Sequence, residues 1–240
     1  MEAVEGEEQA YGYRKLMHWL KQTFNLVINK KKVYRLCKDL GILQPQRRLK
    51  NRHPRRLARN RDVTGPNQLW EVDLKYGYVV GEDRFFYTLT LLDVYDRSVV
   101  GYHVGRHCEA RHAVWALRQA LTGRQLTPDS GLILRSDNGP QFVSNIFAQA
   151  CGELGVEHER IPNRTPNMNA HIESYHRLLE DDCFARNEFE TFSDAYAAVM
   201  AWVEFYNGRR LHSSLRYLPP VEFLRRHREE GLTPARAVRV

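Results

Sequence analysis

The sequence has no long apolar run and few cysteines, and both shortages exclude classes of protein. No stretch approaches the roughly 18 apolar residues that a membrane-spanning helix needs, and no apolar segment opens the chain as in a signal peptide. The four cysteines, at positions 37, 108, 151 and 183, are 32 or more residues apart and form no CxxC pair. This spacing argues against a zinc finger and favours a reduced cytoplasmic protein with free thiols.

The positive charge is concentrated at one end of the chain. Residues 1–66 contain 16 Lys+Arg and 6 Asp+Glu, a net charge of +10, whereas residues 67–240 contain 20 and 23, a net charge of −3. A basic segment attached to a nearly neutral remainder favours a polyanionic partner such as nucleic acid. A solubilising tail is the alternative.

Two short helices are predicted near the start. Apolar residues recur at helical spacing over 12–24 and again over 29–41, where Asn29 suits an N-cap and Gly41 suits the end of the helix. The pair favours a helix-turn-helix-like DNA-binding segment over 1–43, with a generic helical hairpin as the alternative. Three candidate DNA contacts open the second helix: Lys30, Lys31 and Lys32.

The following stretch, 44–66, is predicted to be a linker or arm. It carries eight Lys+Arg, one acidic residue and three prolines, so little of it can be buried. Against DNA, such an arm would contact phosphates without sequence preference and with strong salt dependence; a solvated linker is the alternative. Its candidate DNA contacts are Arg47, Arg48, Arg52, Arg55 and Arg56.

A different pattern begins at Leu69. Apolar Trp70, Val72, Leu74, Tyr76 and Tyr78 alternate with polar residues, which predicts a strand with one apolar face. Further strands are predicted over 84–94, 97–104 and 131–136, and helices over 109–121, 140–155 with Pro140 near its first position, 167–186 and 192–206. Three meandering strands, then alternating helix and strand, then helices indicate a mixed α/β layer fold.

Three acidic residues stand out by their positions. Asp73 lies on the polar face of a strand, Asp137 closes the strand 131–136 before an Asn-Gly turn, and Glu173 lies in the first turns of a helix. Carboxylates from three separate elements suit a magnesium pair. Two ions about 3.5–4 Å apart could clamp the attacking and leaving oxygens of a phosphoryl displacement. Taken singly, each residue has an ordinary alternative as a solvated strand acid, a turn former or a helix-surface charge.

Five ordered segments resemble one family. Retroviral-type integrases and bacterial insertion-sequence transposases have three acidic signatures that resemble WEVDLKYGYV, LRSDNGPQFVS and NAHIESYHRLLED, with 35 residues between the last two acids. The second-reading-frame (OrfB-type) transposases also have an N-terminal helix-turn-helix segment similar to YGYRKLMHWLKQTF…KKKVYRLCKDLGI, and a closing motif similar to FYNGRRLHSSLRYLPP. Together these segments extend from about residue 11 to 224.

The resemblance implies a ribonuclease-H-like core, with a mixed five-stranded sheet flanked by helices, over 67–224, followed by a C-terminal tail over 225–240. It implies Asp73, Asp137 and Glu173 as catalytic metal ligands for two Mg²⁺ ions, which Mn²⁺ could replace. The implied DDE-type activity is cleavage of element ends by water, followed by attack of the freed 3′ hydroxyl on another DNA strand. No covalent protein intermediate is required.

Weaker candidates surround the three acids. Arg177 matches a position where integrases often carry a DNA-contacting lysine, while Glu180 departs from relatives that place a lysine there. Glu71 shares a strand face with Asp73 and is interpreted as a supporting residue. Four candidate DNA contacts are assigned to the core, with turn or anchoring roles as alternatives for the first and last: Asn138, His176, Arg177 and Arg210.

The resemblance also implies partners and a location. We expect double-stranded DNA (element ends and target), a homo-multimer assembled on DNA, and possible need of a partner reading-frame product, with no membrane association. The expected location is the bacterial cytoplasm, on the nucleoid when DNA is bound. Two alternative functions stay open from the sequence: a catalytically silent DNA-binding repressor, and a metal-dependent nuclease on the same fold.

Overall fold

The structure is a computed structural model that describes residues 12–43, 57–162 and 166–240. The chain divides into two compact units, Met1–His53 and Pro54–Val240. Within the described residues, no helix combines the length and the apolar character that crossing a membrane requires.

The N-terminal unit contains the two predicted helices, α1 (Tyr13–Phe24) and α2 (Lys30–Asp39). The Asn29 side chain accepts a hydrogen bond from the backbone N–H of Lys31 at 2.9 Å, which confirms the predicted N-cap. Gly41 has φ +70°, the left-handed conformation that follows many helix ends. The two helices enclose a small core of Leu16, Val33 and Cys37.

The larger unit is built on a mixed sheet with strand order β4-β3-β2-β5-β6. The strands and helices of this unit are β1 (Asp62–Val63), β2 (Leu69–Val79), β3 (Arg84–Asp93), β4 (Val99–Gly105), α3 (Ala110–Arg124), β5 (Ile133–Ser136), α4 (Asn145–Glu153), β6 (Glu157–Arg160), α5 (Ala170–Asp182), α6 (Phe192–Gly208), α7 (Pro220–Glu230) and β7 (Val238–Arg239). Strands β2, β3 and β4 form an antiparallel meander, and β5 and β6 continue the sheet in parallel from β2. The predicted five-stranded mixed sheet is therefore confirmed.

Helices cover both faces of the sheet. On one face, α3 and α4 enclose a core that includes Trp70, Val72 and Leu134. On the other face, α5 and α6 enclose a second core that includes Phe86, Ile172 and Trp202. Because both faces are buried, the side chains of β2 that face α5 are also shielded from water, even the charged ones.

Two sequence predictions are wrong in detail. The helix expected over 140–155 begins only at Asn145, because the Ser144 hydroxyl accepts the Phe147 N–H at 3.2 Å and caps the helix there. The apolar face expected along β2 is interrupted as well. Tyr76 and Tyr78 are 57% and 40% exposed, because the core under α3 and α4 does not extend to this end of the hairpin.

The sequence did not reveal four elements of the larger unit. Strand β1 lies inside the predicted arm 44–66, where Val63 is buried although little burial was expected. Strand β6 reads EHER, which lacks the apolar alternation of a strand. Residues 225–240, expected to be a tail, contain the second half of α7 and strand β7. Strand β7 pairs antiparallel with β1, and a third core joins Val238 to Leu69 and Phe223.

Candidate active site

Asp73 and Asp137 lie side by side at one place in the sheet. Strands β2 and β5 are parallel neighbours in which Val72 pairs with Ser136. Each aspartate is the next residue of its strand or strand end, so their backbones are about one strand spacing, roughly 4.8 Å, apart. Asp137 is fixed by an Asx turn, because its Oδ1 accepts the Gly139 N–H at 2.8 Å.

Helix α5 is attached to the polar face of β2 by three contacts in register. The backbone N–H of Ile172 donates to Glu71 Oε2 at 2.7 Å, His176 Nδ1 lies 3.5 Å from Asp73 Oδ2, and Glu180 Oε2 lies 2.7 Å from Lys75 Nζ. Every fourth helix residue rises about 6 Å and every second strand residue about 6.6 Å, so the two repeats match. Because the two repeats match, α5 lies along β2. This arrangement places Glu173, in the first turn of α5, near Asp73.

The electrostatics show that the three carboxyl groups are neighbours. Burial, with smaller contributions from the charges of Asp137 and Glu173, raises the pKa of Asp73 to about 7 against the opposing effect of the Leu74 N–H. In the part of the chain that the structure describes, no three His, Cys, Asp or Glu side chains close around a common point as a formed metal cage. The acids are therefore an open group whose mutual repulsion a cation would relieve.

Glu71 has the supporting position expected of it. Its side chain is fully buried, and burial raises its pKa to about 7, opposed by the Ile172 N–H and the charge of Arg135. Glu71 Oε1 has no hydrogen-bond partner among the described residues. The carboxyl group thus holds the start of α5 through one oxygen.

Arg135 is a second anchor for α5, and sequence reasoning missed it. Its fully buried guanidinium donates to Glu159 Oε1 at 2.9 Å, to the carbonyl of Met168 just before α5 at 2.9 Å, and to the carbonyl of Arg59 at 2.8 Å. An arginine inside a buried strand, with a matching glutamate on the uncharacteristic strand EHER, was the available signal.

The candidate DNA contacts near the acids have different surroundings. His176 faces Asp73, and burial lowers the pKa of its imidazole to about 3, so it is neutral at physiological pH. Arg177 is exposed on the next position of α5. Asn138 donates from Nδ2 to the Ile161 carbonyl at 3.0 Å, a structural bond beside Asp137. Of these, Arg177 is the side chain placed to reach a ligand in solvent.

The presence of Glu180, where relatives carry a lysine, is explained by its ion pair. Glu180 pairs with Lys75, which lies on the same face of β2 as Asp73 and whose ammonium also lies 5.7 Å from the centre of the Phe184 ring. The basic residue beside this part of α5 therefore comes from the strand rather than from the helix.

The closing motif anchors the core. Asn207 holds the start of the edge strand β4. Its side chain accepts a hydrogen bond from the Val99 N–H and donates one to the Val99 carbonyl, both at 2.9 Å. Arg210 Nε lies 3.2 Å from Asp182 Oδ2 at the end of α5, and Tyr206 is buried against Tyr175. Arg210 thus has a structural contact in this structure, and its DNA contact stays a prediction.

Two further acids of the core, Asp93 and Asp96, hold the turn between β3 and β4. Asp93 accepts hydrogen bonds from the N–H groups of Asn67, Tyr95 and Asp96 and from Trp70 Nε1. Asp96 forms a two-bond ion pair with Arg124 at 2.8 and 3.1 Å. Both carboxylates are saturated with donors, which leaves them unsuited to a metal.

The candidate DNA contacts of the N-terminal segment are only partly described. Lys30 and Lys31 line a cavity together with Tyr13, Tyr34 and Arg35, while Lys32 is exposed outside it. The five arginines of the arm lie outside the described residues: Arg47, Arg48, Arg52, Arg55 and Arg56.

Comparisons with known proteins agree with this geometry. Residues 63–166 and 154–220 match families described as integrase core domain, and residues 1–50 match an HTH-like domain. The chain is 30% identical over 231 residues to the insertion element IS407 31.7 kDa protein of Burkholderia multivorans, covering 95% of this chain and 80% of that protein. It is 25% identical to the transposase for insertion sequence element IS904 of Lactococcus lactis, covering 89% and 87%.

A solved structure supports the fold. The cryo-EM structure of the simian T-cell lymphotropic virus intasome, in complex with PP2A regulatory subunit B56 gamma, contains a chain that superposes with a TM-score of 0.57 at 17% identity. The match covers 89% of this chain and 70% of that chain. The ribonuclease-H-like integrase core expected from the sequence is confirmed, and the chain belongs to the insertion-sequence transposases that carry an integrase core domain.

Proposed function

We propose that this transposase cleaves and joins DNA strands at the ends of an insertion sequence, in a metal-dependent reaction carried by Asp73, Asp137 and Glu173. The observation that supports this proposal most is the convergence of three acids from β2, the end of β5 and α5. The charges of Asp137 and Glu173 add to the effect of burial in raising the pKa of Asp73, as expected of neighbouring acids. A group of like charges in a partly buried site is stable when a cation joins it.

The donor set suits magnesium. Mg²⁺ prefers oxygen ligands, retains several waters and is usually held by one or two carboxylates, so an open group of three acids can serve two ions without a closed cage. Asp73, Asp137 and Glu173 would together hold the ions. Mn²⁺ has the same ligand preference and should substitute. When bound, the ions would supply Lewis acidity at the attacking and leaving oxygens.

The surrounding residues would orient the acids. The Gly139 N–H fixes the Asp137 carboxylate, and Glu71 and Arg135 fix the helix that carries Glu173. The neutral imidazole of His176 shields one side of Asp73 from water without adding a positive charge. Preorganised ligands of this kind reduce the rearrangement that metal and DNA binding would otherwise require.

DNA would be held mainly outside the acidic group. We assign phosphate contacts to Arg177, to Lys32 and to the basic arm, and we keep Asn138, His176 and Arg210 as weaker predictions. Domain bounds of 1–43, 44–66, 67–224 and 225–240 belong to this proposal. Because two ends must be joined, we expect a multimer on DNA, with a partner reading-frame product as a possible further component. The relatives are bacterial, so the DNA would lie in the cytoplasm.

A strand-joining assay tests the proposal. The purified chain is mixed with a labelled, pre-cut DNA end bearing a free 3′ hydroxyl, with Mg²⁺ or Mn²⁺, and joined product is measured. We expect joining that requires metal and that falls below detection in Asp137→Asn and Glu173→Gln. The matched controls Asp129→Asn and Glu204→Gln change exposed acids elsewhere in the core and should keep the parent activity.

The other outcomes favour the alternative functions. Metal-dependent cutting without joining would contradict the transposase reaction and indicate a nuclease. Tight DNA binding with neither reaction, unchanged by the substitutions, would contradict the catalytic proposal and indicate a repressor. Joining that persists in Glu173→Gln would show that the third ligand is wrongly assigned.

A further inference from the structure

A cavity of about 510 Å³ lies on the N-terminal unit. Its lining consists of Tyr13, Lys30, Lys31, Tyr34 and Arg35. Three of these side chains are cationic, two are aromatic and none is acidic. A volume of this size falls in the range of small-ligand pockets.

The aromatic part of the lining is a pair of tyrosines from different helices. The rings of Tyr13 on α1 and Tyr34 on α2 are 5.2 Å apart at 82°, an edge-to-face contact. Tyr34 is 41% exposed even though it packs against Tyr13. An exposed ring held in a fixed orientation inside a concave, cationic surface can stack with a flat ligand at little entropic cost.

The cationic part of the lining faces no acidic partner in the described part of the chain. Among the described residues, no carboxylate lies within ion-pair distance of Lys30, Lys31 or Arg35. This includes Asp39, which follows Arg35 by one helical turn. Three cations gathered with no counter-charge within ion-pair distance among residues 12–43 repel one another, so an anionic ligand would lower the energy of this part of the unit.

The combination indicates one chemical class of ligand. A phosphate satisfies the lysines and the arginine, and a planar base satisfies the tyrosine ring, so the ligand carries both. In a blunt duplex the base faces are stacked on their neighbours and only phosphates are available. We infer that this pocket binds an unpaired nucleotide of DNA, with its base on Tyr34 and its phosphate on Lys30, Lys31 and Arg35.

This inference rests on the proposed function and makes its substrate more specific. Cleavage of one strand near an element end would leave nucleotides of the other strand unpaired, and such a nucleotide needs a place to be held. A pocket for it would favour ends with a single-stranded extension over blunt ends. The Tyr34 ring would provide this preference, while the cations would strengthen binding to both kinds of end.

Fluorescence polarisation with the full-length chain tests the pocket. Two labelled duplexes of identical sequence are compared at fixed salt, one blunt and one with a single-stranded extension of about four nucleotides. We expect the parent to bind the extended duplex at least about fivefold more tightly, the lower bound for one base stacked on one ring. Tyr34→Leu should abolish this preference, and Tyr34→Phe should retain it.

Two further variants separate the roles of charge and ring. Lys31→Gln should weaken binding to both duplexes and reduce the salt slope by about 1. Tyr196→Leu removes a comparably exposed tyrosine from the core, 43% against 41%, and should leave the preference intact. Circular dichroism of each variant establishes that α1 and α2 remain folded.

The inference is overturned if the parent binds both duplexes equally or if Tyr34→Leu keeps the preference while remaining folded. Failure here is distinguishable from failure of the proposed function. Joining of pre-cut ends would then continue in the parent, whereas loss of joining with the preference retained would contradict the catalytic proposal alone.

Discussion

The backbone N–H of Ile172 donates a 2.7 Å hydrogen bond to the buried carboxyl group of Glu71. Glu71 lies two residues before Asp73 on the same face of β2, and Ile172 lies one residue before Glu173 on α5. One hydrogen bond therefore connects the strand that carries the first acid to the helix turn that carries the third. Glu71 is a positioning residue for the proposed metal site.

Two substitutions of Glu71 should distinguish its hydrogen bond to α5 from the effect of its negative charge. Glu71→Ala leaves the Ile172 N–H without its acceptor, so we expect a loss of about 1–3 kcal/mol of unfolding free energy. A displaced α5 should also lower strand joining by roughly tenfold or more and raise the Mg²⁺ concentration for half-maximal activity. Glu71→Gln keeps an acceptor oxygen and should retain most of both. Equal behaviour of the two variants in a Mg²⁺ titration would contradict the positioning role.

Replacing glycine by alanine should have opposite effects on stability at Gly77 and at Gly123. A Cβ atom at Gly77 would lie 2.1 Å from Phe86 Cζ, so Gly77→Ala should displace that buried ring and destabilise the core by about 1–3 kcal/mol. A Cβ atom at Gly123, inside α3, meets nothing within 4 Å, and Gly123→Ala should stabilise by about 0.5–1 kcal/mol. Urea unfolding measures both changes. A neutral Gly77→Ala would contradict the close packing of Gly77 against Phe86.

Two arginines on α3 differ in the burial of their ion pairs. Arg124 is 8% exposed and pairs with the fully buried Asp96, so Arg124→Met should cost about 3–5 kcal/mol by leaving a buried charge without its partner. Arg118 pairs with Glu153 at 3.4 Å while both side chains are about half exposed, and Arg118→Met should cost less than about 1 kcal/mol. Thermal or urea unfolding of the two variants measures this difference in stability. Similar losses of unfolding free energy in both variants would contradict the prediction.

The stability of the core should fall in mild acid because of His158. Burial, and next the charge of Arg160, lower the pKa of its imidazole from 6.5 to about 4. Between those pH values the unfolded chain binds the proton and the folded chain does not, so stability decreases as pH falls, by at most about 1.4 kcal/mol per pH unit. His158→Gln should remove this contribution from the pH dependence of the unfolding free energy over this range, whereas the exposed control His107→Gln should not. An unchanged slope in His158→Gln would contradict a neutral buried imidazole.

Local signals predicted the parts of the fold that short-range chemistry determines. Asn29 caps α2, and the meander β2–β4 follows from apolar alternation and a tight turn held by Asp93. The three acids could be selected because each lies at an exceptional position in its element, and their order resembles a family signature.

Long-range partnerships explain what the sequence did not reveal. Strand β6 is polar because Glu159 and His158 are satisfied by Arg135 and Ser136 on the neighbouring strand, so its pattern gives no apolar periodicity. Strand β7 exists only through its pairing with β1, far away in the chain. The hydrogen bond between the Ile172 N–H and Glu71 depends on the direction of α5 along β2, and no local sequence pattern determines that direction.

Manganese binding gives the most direct test of the central claim, that Asp73, Asp137 and Glu173 form a metal site. Electron paramagnetic resonance of free Mn²⁺ during titration with the full-length chain reports bound metal without requiring DNA or activity. We predict saturable binding that weakens by at least about tenfold in Asp73→Asn and in Asp137→Asn, and remains at the parent level in Asp129→Asn. Binding of equal strength in the parent and in Asp73→Asn and Asp137→Asn would place the metal elsewhere and contradict the account.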